Sequence, residues 1–165
     1  MKSPSLIAAV GQPWMRDLAF GCHVVRRLEG ERLPAGLEVR DLSFGPIAAF
    51  QAIREGGYRR IVFVTSRAAG RTRGRLYRVR PSRRRVPAAE IHARIGDSVM
   101  GCISLENLVV LCRHYRALPR EVTVIEAEPE EDGWGPELSP GVEPLVAPAA
   151  RLAMSSALGR RATGR

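Results

Sequence analysis

Residues 6–10 (LIAAV) form a short apolar run that stops at Gly11, and residues 12–14 (QPW) turn the chain before a helical period begins at Asp17. Leu18, Cys22, Val25 and Leu28 then share one stripe at the 3.6-residue spacing. Arg26 and Arg27 occupy the last turn and Gly30 stands just beyond, the charge and stop pattern that suits a helix C-terminus. The pattern reads as strand, loop, helix, the first half of a βαβ unit. In open α/β sheets ligands gather at the carboxyl ends of strands, so the loop over residues 11–17 is the first place to expect a site.

The alternation continues along the chain. Residues 37–42 (LEVRDL) alternate apolar and polar positions as a half-buried strand does. After a turn at Ser43, Phe44 and Gly45, Pro46 suits the first position of a helix with an apolar face of Ile47, Phe50 and Ile53, closed by Gly56 and Gly57. Residues 60–65 (RIVFVT), short and β-branched or aromatic, are the pattern of a central strand. Residues 74–80 (GRLYRVR) alternate as an edge strand with arginines toward water, and residues 81–94 read as loop. Leu105, Leu108, Val109 and Cys112 make a helical stripe that ends before Pro119, and residues 122–127 are the last strand. The acidic loop over residues 130–138 (EEDGWGPEL) leads to Ser139 and Pro140, read as a cap and first position of a final helix whose start Pro144 and Pro148 make irregular. Residues 159–165 read as a frayed basic tail, leaving one domain over residues 1–158. Strands alternating with helices predict a three-layer αβα sandwich with a mostly parallel sheet of about five strands.

Composition narrows the function classes. A chain of 165 residues can bury a proper core. It contains no apolar run of membrane-spanning length and no signal-peptide pattern at its start, so a soluble, cytoplasmic protein without membrane contact is expected. Three widely spaced cysteines, Cys22, Cys102 and Cys112, fit reduced buried thiols rather than a disulfide framework. The net charge of +9 is almost wholly arginine, since Lys2 is the single lysine. No acidic residue falls between Glu55 and Glu90, and eight arginines crowd residues 71–85. Tyr77 is the one aromatic in that run, so stacking platforms are scarce and the run reads as a solvated edge, with nucleic acid not the expected partner.

Gly11-Gln12-Pro13 with Asp17 and Gly21 after the first strand, Ser43-x-Gly45 after the second, Gly74 before the fourth, and Glu128-Pro129-Glu130 followed by Leu138-Ser139-Pro140 stand in a characteristic order. The series resembles the hydrogenase maturation endopeptidases, whose pattern is a G-N-P-like loop with two acidic residues, a G-G-T-x-G loop, a V-D-A strand end and an E-P-E-S…L-S-P close. The resemblance runs from about Leu6 to Leu152 and implies a phosphorylase/hydrolase-like fold. It also implies an enzyme that clips a C-terminal extension from the large subunit of a nickel-iron hydrogenase, recognising the substrate's bound nickel through two acidic residues and a histidine.

Carried over residue by residue, those ligand positions fall on Leu18, Thr65 and Gly101, while the family's asparagine becomes Gln12 and its Gly-Gly pair becomes Asp41-Leu42. Leucine and glycine offer no side-chain donor and a neutral threonine hydroxyl is a poor one, so the metal-binding set is lost. Asp17 then reads as an acidic residue favourable to a helix N-terminus, and Cys102 as a small residue of the interior. Cys22 and His23, like Cys112 and His114, diverge on a helix and cannot share an ion. No nucleophile elbow or phosphate-binding glycine loop is present. The expectation is a maturation-protease-like protein without catalytic residues, metal or cofactor. Its protein partner, such as a hydrogenase large subunit, would meet Gln12, Asp17, Ser43, Gly45, Ser66 and Cys102. An endopeptidase with displaced ligands (Asp17, Asp97, Cys102) and a basic nucleic-acid-binding module stay open as alternatives, and the sequence leaves the oligomeric state undetermined.

Overall fold

In the computed structural model, which describes residues 4–84, 86–96 and 101–160, the chain forms one five-stranded sheet. Its elements are β1 (Ser5–Ala9), α1 (Phe20–Glu29), β2 (Leu37–Asp41), α2 (Pro46–Glu55), β3 (Arg60–Ser66), β4 (Leu76–Val79), α3 (Ala88–Gly96), α4 (Leu105–His114), β5 (Glu121–Ala127) and α5 (Val146–Ala157). The strand order is β2-β1-β3-β5-β4, with the first four strands parallel and β4 antiparallel on β5.

The layers follow from the two-residue period of the strands. Ile7, Val62, Val64, Ile125 and Ala127 face α1 and α5. Leu6, Ala8, Val10, Ile61, Phe63 and Val124 face α2, α3 and α4. Both faces of the central strands are therefore buried, which is why those segments are continuously apolar. The fold is a three-layer αβα sandwich with a mostly parallel sheet. Helix α1 sits unusually close to β3, because an added Cβ on Gly21 would lie 2.3 Å from the Val64 carbonyl oxygen. No helix among the described residues is long and apolar enough to cross a membrane.

Three sequence expectations change. Residues 88–96 are helix rather than loop: AAEIHARIG places buried Ile91 on the core, and Arg94 pairs with Glu90 one turn earlier. The helical pattern at Asp17 starts as a single 3-10 turn (Arg16–Ala19), and the α-helix begins at Phe20. Ser139 is not the cap of the last helix, which follows a 3-10 turn (Glu143–Leu145) and begins at Val146. The Ser139 carbonyl instead receives the amides of Val142 and Glu143, and its hydroxyl is engaged elsewhere.

Candidate functional site

The carboxyl ends of the parallel strands bring distant loops together. After β2, the Ser43 hydroxyl oxygen accepts the Gly11 amide at 3.1 Å and lies 3.3 Å from the Cys22 sulfur. At the end of β3, the buried Thr65 hydroxyl donates to the Val10 carbonyl at 2.6 Å. Leu18 is half-buried beside them; its carbonyl accepts the Gln12 amide at 3.0 Å and would lie 2.6 Å from a Cβ added to Gly11. Gly101 joins the same end from further along the chain, since its carbonyl accepts the Gly45 amide at 3.0 Å and its neighbour Cys102 bridges to Phe44. Gly101 has φ +87°, a left-handed conformation that favours glycine.

Asp17 is the organising polar residue. It is 0% exposed, and its carboxylate accepts the amides of Glu130 (2.8 Å), Glu131 (2.9 Å) and Ser139 (2.7 Å) as well as the Ser139 hydroxyl (2.8 Å). Burial pushes this carboxyl's pKa up, but the Ser139 and Glu131 amides, the Ser139 hydroxyl and the Glu130 amide outweigh it, and the pKa ends below the ordinary value. The carboxylate thus acts as a latch that ties the loop before α1 to the loop after β5. Its donors belong to that distant loop rather than to the helix N-terminus.

A second buried polar cluster lies beside it. Glu126 and Glu128 at the end of β5 are almost fully buried, and the Arg71 guanidinium reaches both, at 2.8 Å and 3.0 Å. Glu128 also accepts the amides of Ala69 (2.7 Å) and Gly70 (2.9 Å), and Arg71 stacks on the Tyr77 ring at 4.1 Å. Burial raises the Glu128 carboxyl's pKa, while Arg71 and the two amides draw it below the ordinary value. Arg71 is therefore drawn out of the solvated run and fixes the loop after β3.

Around this polar base the rim exposes apolar surface. Trp14 is 61% exposed, Trp134 80%, Phe44 61% and Ile47 54%. Trp14 has φ +67° and Arg16 φ +39°, a strained backbone for non-glycine residues. The strained loop is held by its neighbour: the Gly135 amide donates to the Trp14 carbonyl (2.8 Å), the Arg16 amide to the Gly135 carbonyl (3.0 Å), and the Arg16 guanidinium to Glu131 (2.6 Å). The two tryptophans are thereby presented on adjoining loops.

No family model matches the chain, and no curated protein matches it. Among solved structures, the hydrogenase 2 maturation peptidase of a Thaumarchaeota archaeon is 27% identical, with 96% of this chain and 99% of that one covered at a TM-score of 0.67. A solution structure of an endopeptidase from Escherichia coli is 20% identical (93% and 91% covered, TM-score 0.70). The hydrogenase maturating endopeptidase HybD from E. coli is 18% identical (90% and 88% covered, TM-score 0.68). The chain is a structural homologue of the hydrogenase maturation endopeptidases. The low identity to the two E. coli proteins carries the fold alone. The archaeal peptidase shares both the fold and more than a quarter of its residues.

Of the residues singled out from the family pattern, Leu18 and Thr65 flank the end of β1, and Gly101 is tied to the β2–α2 turn at the same end of the sheet. Gln12 is exposed; Gly45, Ser66 and Cys102 are half-buried; Ser43 and Asp17 are wholly buried. Asp97 lies outside the described residues. Among the described residues no three His, Cys, Asp or Glu side chains are grouped so as to hold a metal ion. Burial pushes the Cys22 thiol up to about 11, with Ser43 lowering it and Asp41 raising it, and burial pushes Cys112 to about 12. Neither is a thiolate at neutral pH. The Cys22 sulfur reaches Ser43 while His23 Nε2 lies 3.2 Å from the Pro136 carbonyl oxygen, so the two side chains diverge.

Trp14, Trp134, Arg71 and Glu126 are the site residues that sequence reasoning passed over. An isolated tryptophan next to glycine or proline was the available signal for the first two. The Arg71 pairing joins residues more than 50 positions apart, and no local pattern announces it.

Proposed function

We propose that this chain is a catalytically degenerate relative of the maturation peptidases that binds a protein partner at the carboxyl end of its sheet, such as the precursor of a nickel-iron hydrogenase large subunit. The observation that carries the reading is the chemistry at the three positions where the family's pattern places its nickel ligands. Leu18 and Gly101 have no donor atom, and the Thr65 hydroxyl is already committed to the Val10 carbonyl. These residues do not fit a divalent metal, which takes imidazole, thiolate or carboxylate. Asp17 is no substitute, because engaging a metal would strip a buried carboxylate of four hydrogen bonds.

What remains is a surface suited to association. Exposed tryptophans and phenylalanine on a rigidly held rim are the residue types that dominate interface energetics, each worth about 2 kcal/mol or more at a well-packed centre. Strain at Trp14, held in place by the acidic loop, is a stability cost that an exposed side chain with no partner does not recover within the monomer.

The test is size-exclusion chromatography of the full chain with a hydrogenase large-subunit precursor that keeps its C-terminal extension, in nickel-loaded and nickel-free forms. Co-migration at micromolar concentrations is expected, and its loss in the Trp14→Ala, Phe44→Ala, Trp134→Ala triple variant. Failure of both precursor forms to co-migrate with the wild type overturns the reading.

A further inference from the structure

At the opposite end of the sheet, where β3 and β5 begin, lies an open cleft of about 1150 Å³. Nine arginines and a single carboxylate, Glu121, line it among the described residues. The carboxylate is taken: Glu121 pairs with Arg60, whose guanidinium also donates to the Ala157 carbonyl at 3.0 Å. The other arginines arrive from separate segments. Arg78 and Arg80 come from the end of β4, Arg83 and Arg84 from the loop after it, Arg116 from beyond α4, and Arg120 from the approach to β5. None of these six makes an ion pair among the described residues, although nine such pairs occur outside the cleft in the described structure. Arg113 joins them half-buried, donating to the Ser82 carbonyl; burial and the neighbouring Arg83 charge lower its pKa.

Such an arrangement is unfavourable to the monomer alone. The C-terminus of α4 accounts for positive charge at Arg113 and Arg116 but does not reach the arginines of β4 and its loop. The apolar side chains beneath, Val86, Ile91, Val110 and Leu118, pack against the main core and offer no separate apolar slot. Among the described residues no Phe, Tyr or Trp lines the cleft, which offers no aromatic platform there for unpaired bases to stack on. The missing component is dense, regularly spaced negative charge, and a nucleic-acid duplex supplies about one charge per 1.7 Å of its axis.

We propose that this arginine-lined cleft binds the phosphodiester backbone of double-stranded nucleic acid, without reading base sequence. The site is remote from the apolar rim and stands independently of the partner reading given above. Convergence in space changes the expectation drawn from the linear sequence, where the same arginines look like a solvated edge.

Fluorescence anisotropy with labelled 20-base-pair duplexes of RNA and of DNA tests this, titrated with the full chain from low to moderate salt. Binding to at least one duplex is expected, with a log–log salt slope of about −3 to −5, as four or five displaced counterions require. Arg80→Ala, Arg83→Ala, Arg84→Ala should weaken binding at least tenfold and flatten that slope by about 2 to 3. The control Arg26→Ala, Arg32→Ala, Arg151→Ala removes the same charge at exposed positions outside the cleft and should stay within about threefold of wild type. Equal loss in both triple variants would overturn the cleft assignment in favour of net charge alone. Poly-glutamate that displaces the duplex at equal charge concentration would overturn the phosphate assignment in favour of an acidic protein segment. Absence of binding to either duplex at low salt would overturn the proposal altogether.

Discussion

Removing the Asp17 carboxylate should be among the most damaging single changes in the protein. In Asp17→Ala the amides of Glu130, Glu131 and Ser139 and the Ser139 hydroxyl lose their acceptor, and the site is fully buried. Hydrogen bonds to a charged group contribute about 1.5–3 kcal/mol each, but four sharing one carboxylate do not add, and local relaxation lets some donors reach water. A loss of about 3–5 kcal/mol is expected, against a typical total of about 5–15 kcal/mol. Asp17→Asn keeps the shape but presents an NH₂ group to at least one donor, and should cost about 2–3 kcal/mol. The pH dependence follows from the same latch. The folded-state pKa of Asp17 is depressed, so its stabilisation is fully present above the unfolded carboxyl value of about 3.9 and is lost as pH falls through the folded value. Urea unfolding at pH 7 and at stepped acid pH, for wild type and both variants, measures each quantity. Stability within about 1 kcal/mol of wild type for Asp17→Ala at neutral pH would refute the latch, as would an unchanged acid slope in Asp17→Asn.

Trp14→Gly should relieve the left-handed strain and stabilise the fold by about 0.5–1 kcal/mol in the same urea assay, while weakening partner binding. Ellman titration of the native protein at pH 8 should modify Cys102 alone, with Cys22 and Cys112 reacting only after denaturation, because both are buried with raised pKa values. Restoring the ligand set in Leu18→Glu, Thr65→Asp, Gly101→His should produce nickel or zinc binding by calorimetry, with no binding expected for the wild type in the same titration. The restored variant should also lose stability, through strain of about 1–2 kcal/mol from a side chain at φ +87° and through a carboxylate set against the Val10 carbonyl.

Strands β1, β3 and β5 are legible as short β-branched or apolar runs between turn residues, the composition that burial on both faces requires, and β2 as the apolar–polar alternation of a half-buried outer strand. Helix α3 is not, because among its described side chains Ile91 is the one that is buried, and an arginine-rich run precedes it. The sequence marks Asp17 as part of a motif and its position suggests a helix N-terminus, but its donors lie 113 to 122 residues away. Ser139-Pro140 looked like a local cap for the same reason: its side chain answers Asp17, not the helix after it. Charge shows the same limit, since Arg71 is drawn into an ion-pair cluster while Arg78, Arg80, Arg83 and Arg84 of the same run line an open cleft. Local pattern reports which segments fold and into what; pairings across loops depend on the assembled sheet.

The most direct test of degenerate chemistry is intact-mass spectrometry of a nickel-loaded hydrogenase large-subunit precursor incubated with the wild-type chain. The precursor mass should stay unchanged while a complex with the chain forms. Release of the C-terminal extension, seen as a mass loss equal to that peptide, would contradict the account and show that the leucine, threonine and glycine at the ligand positions do not prevent cleavage.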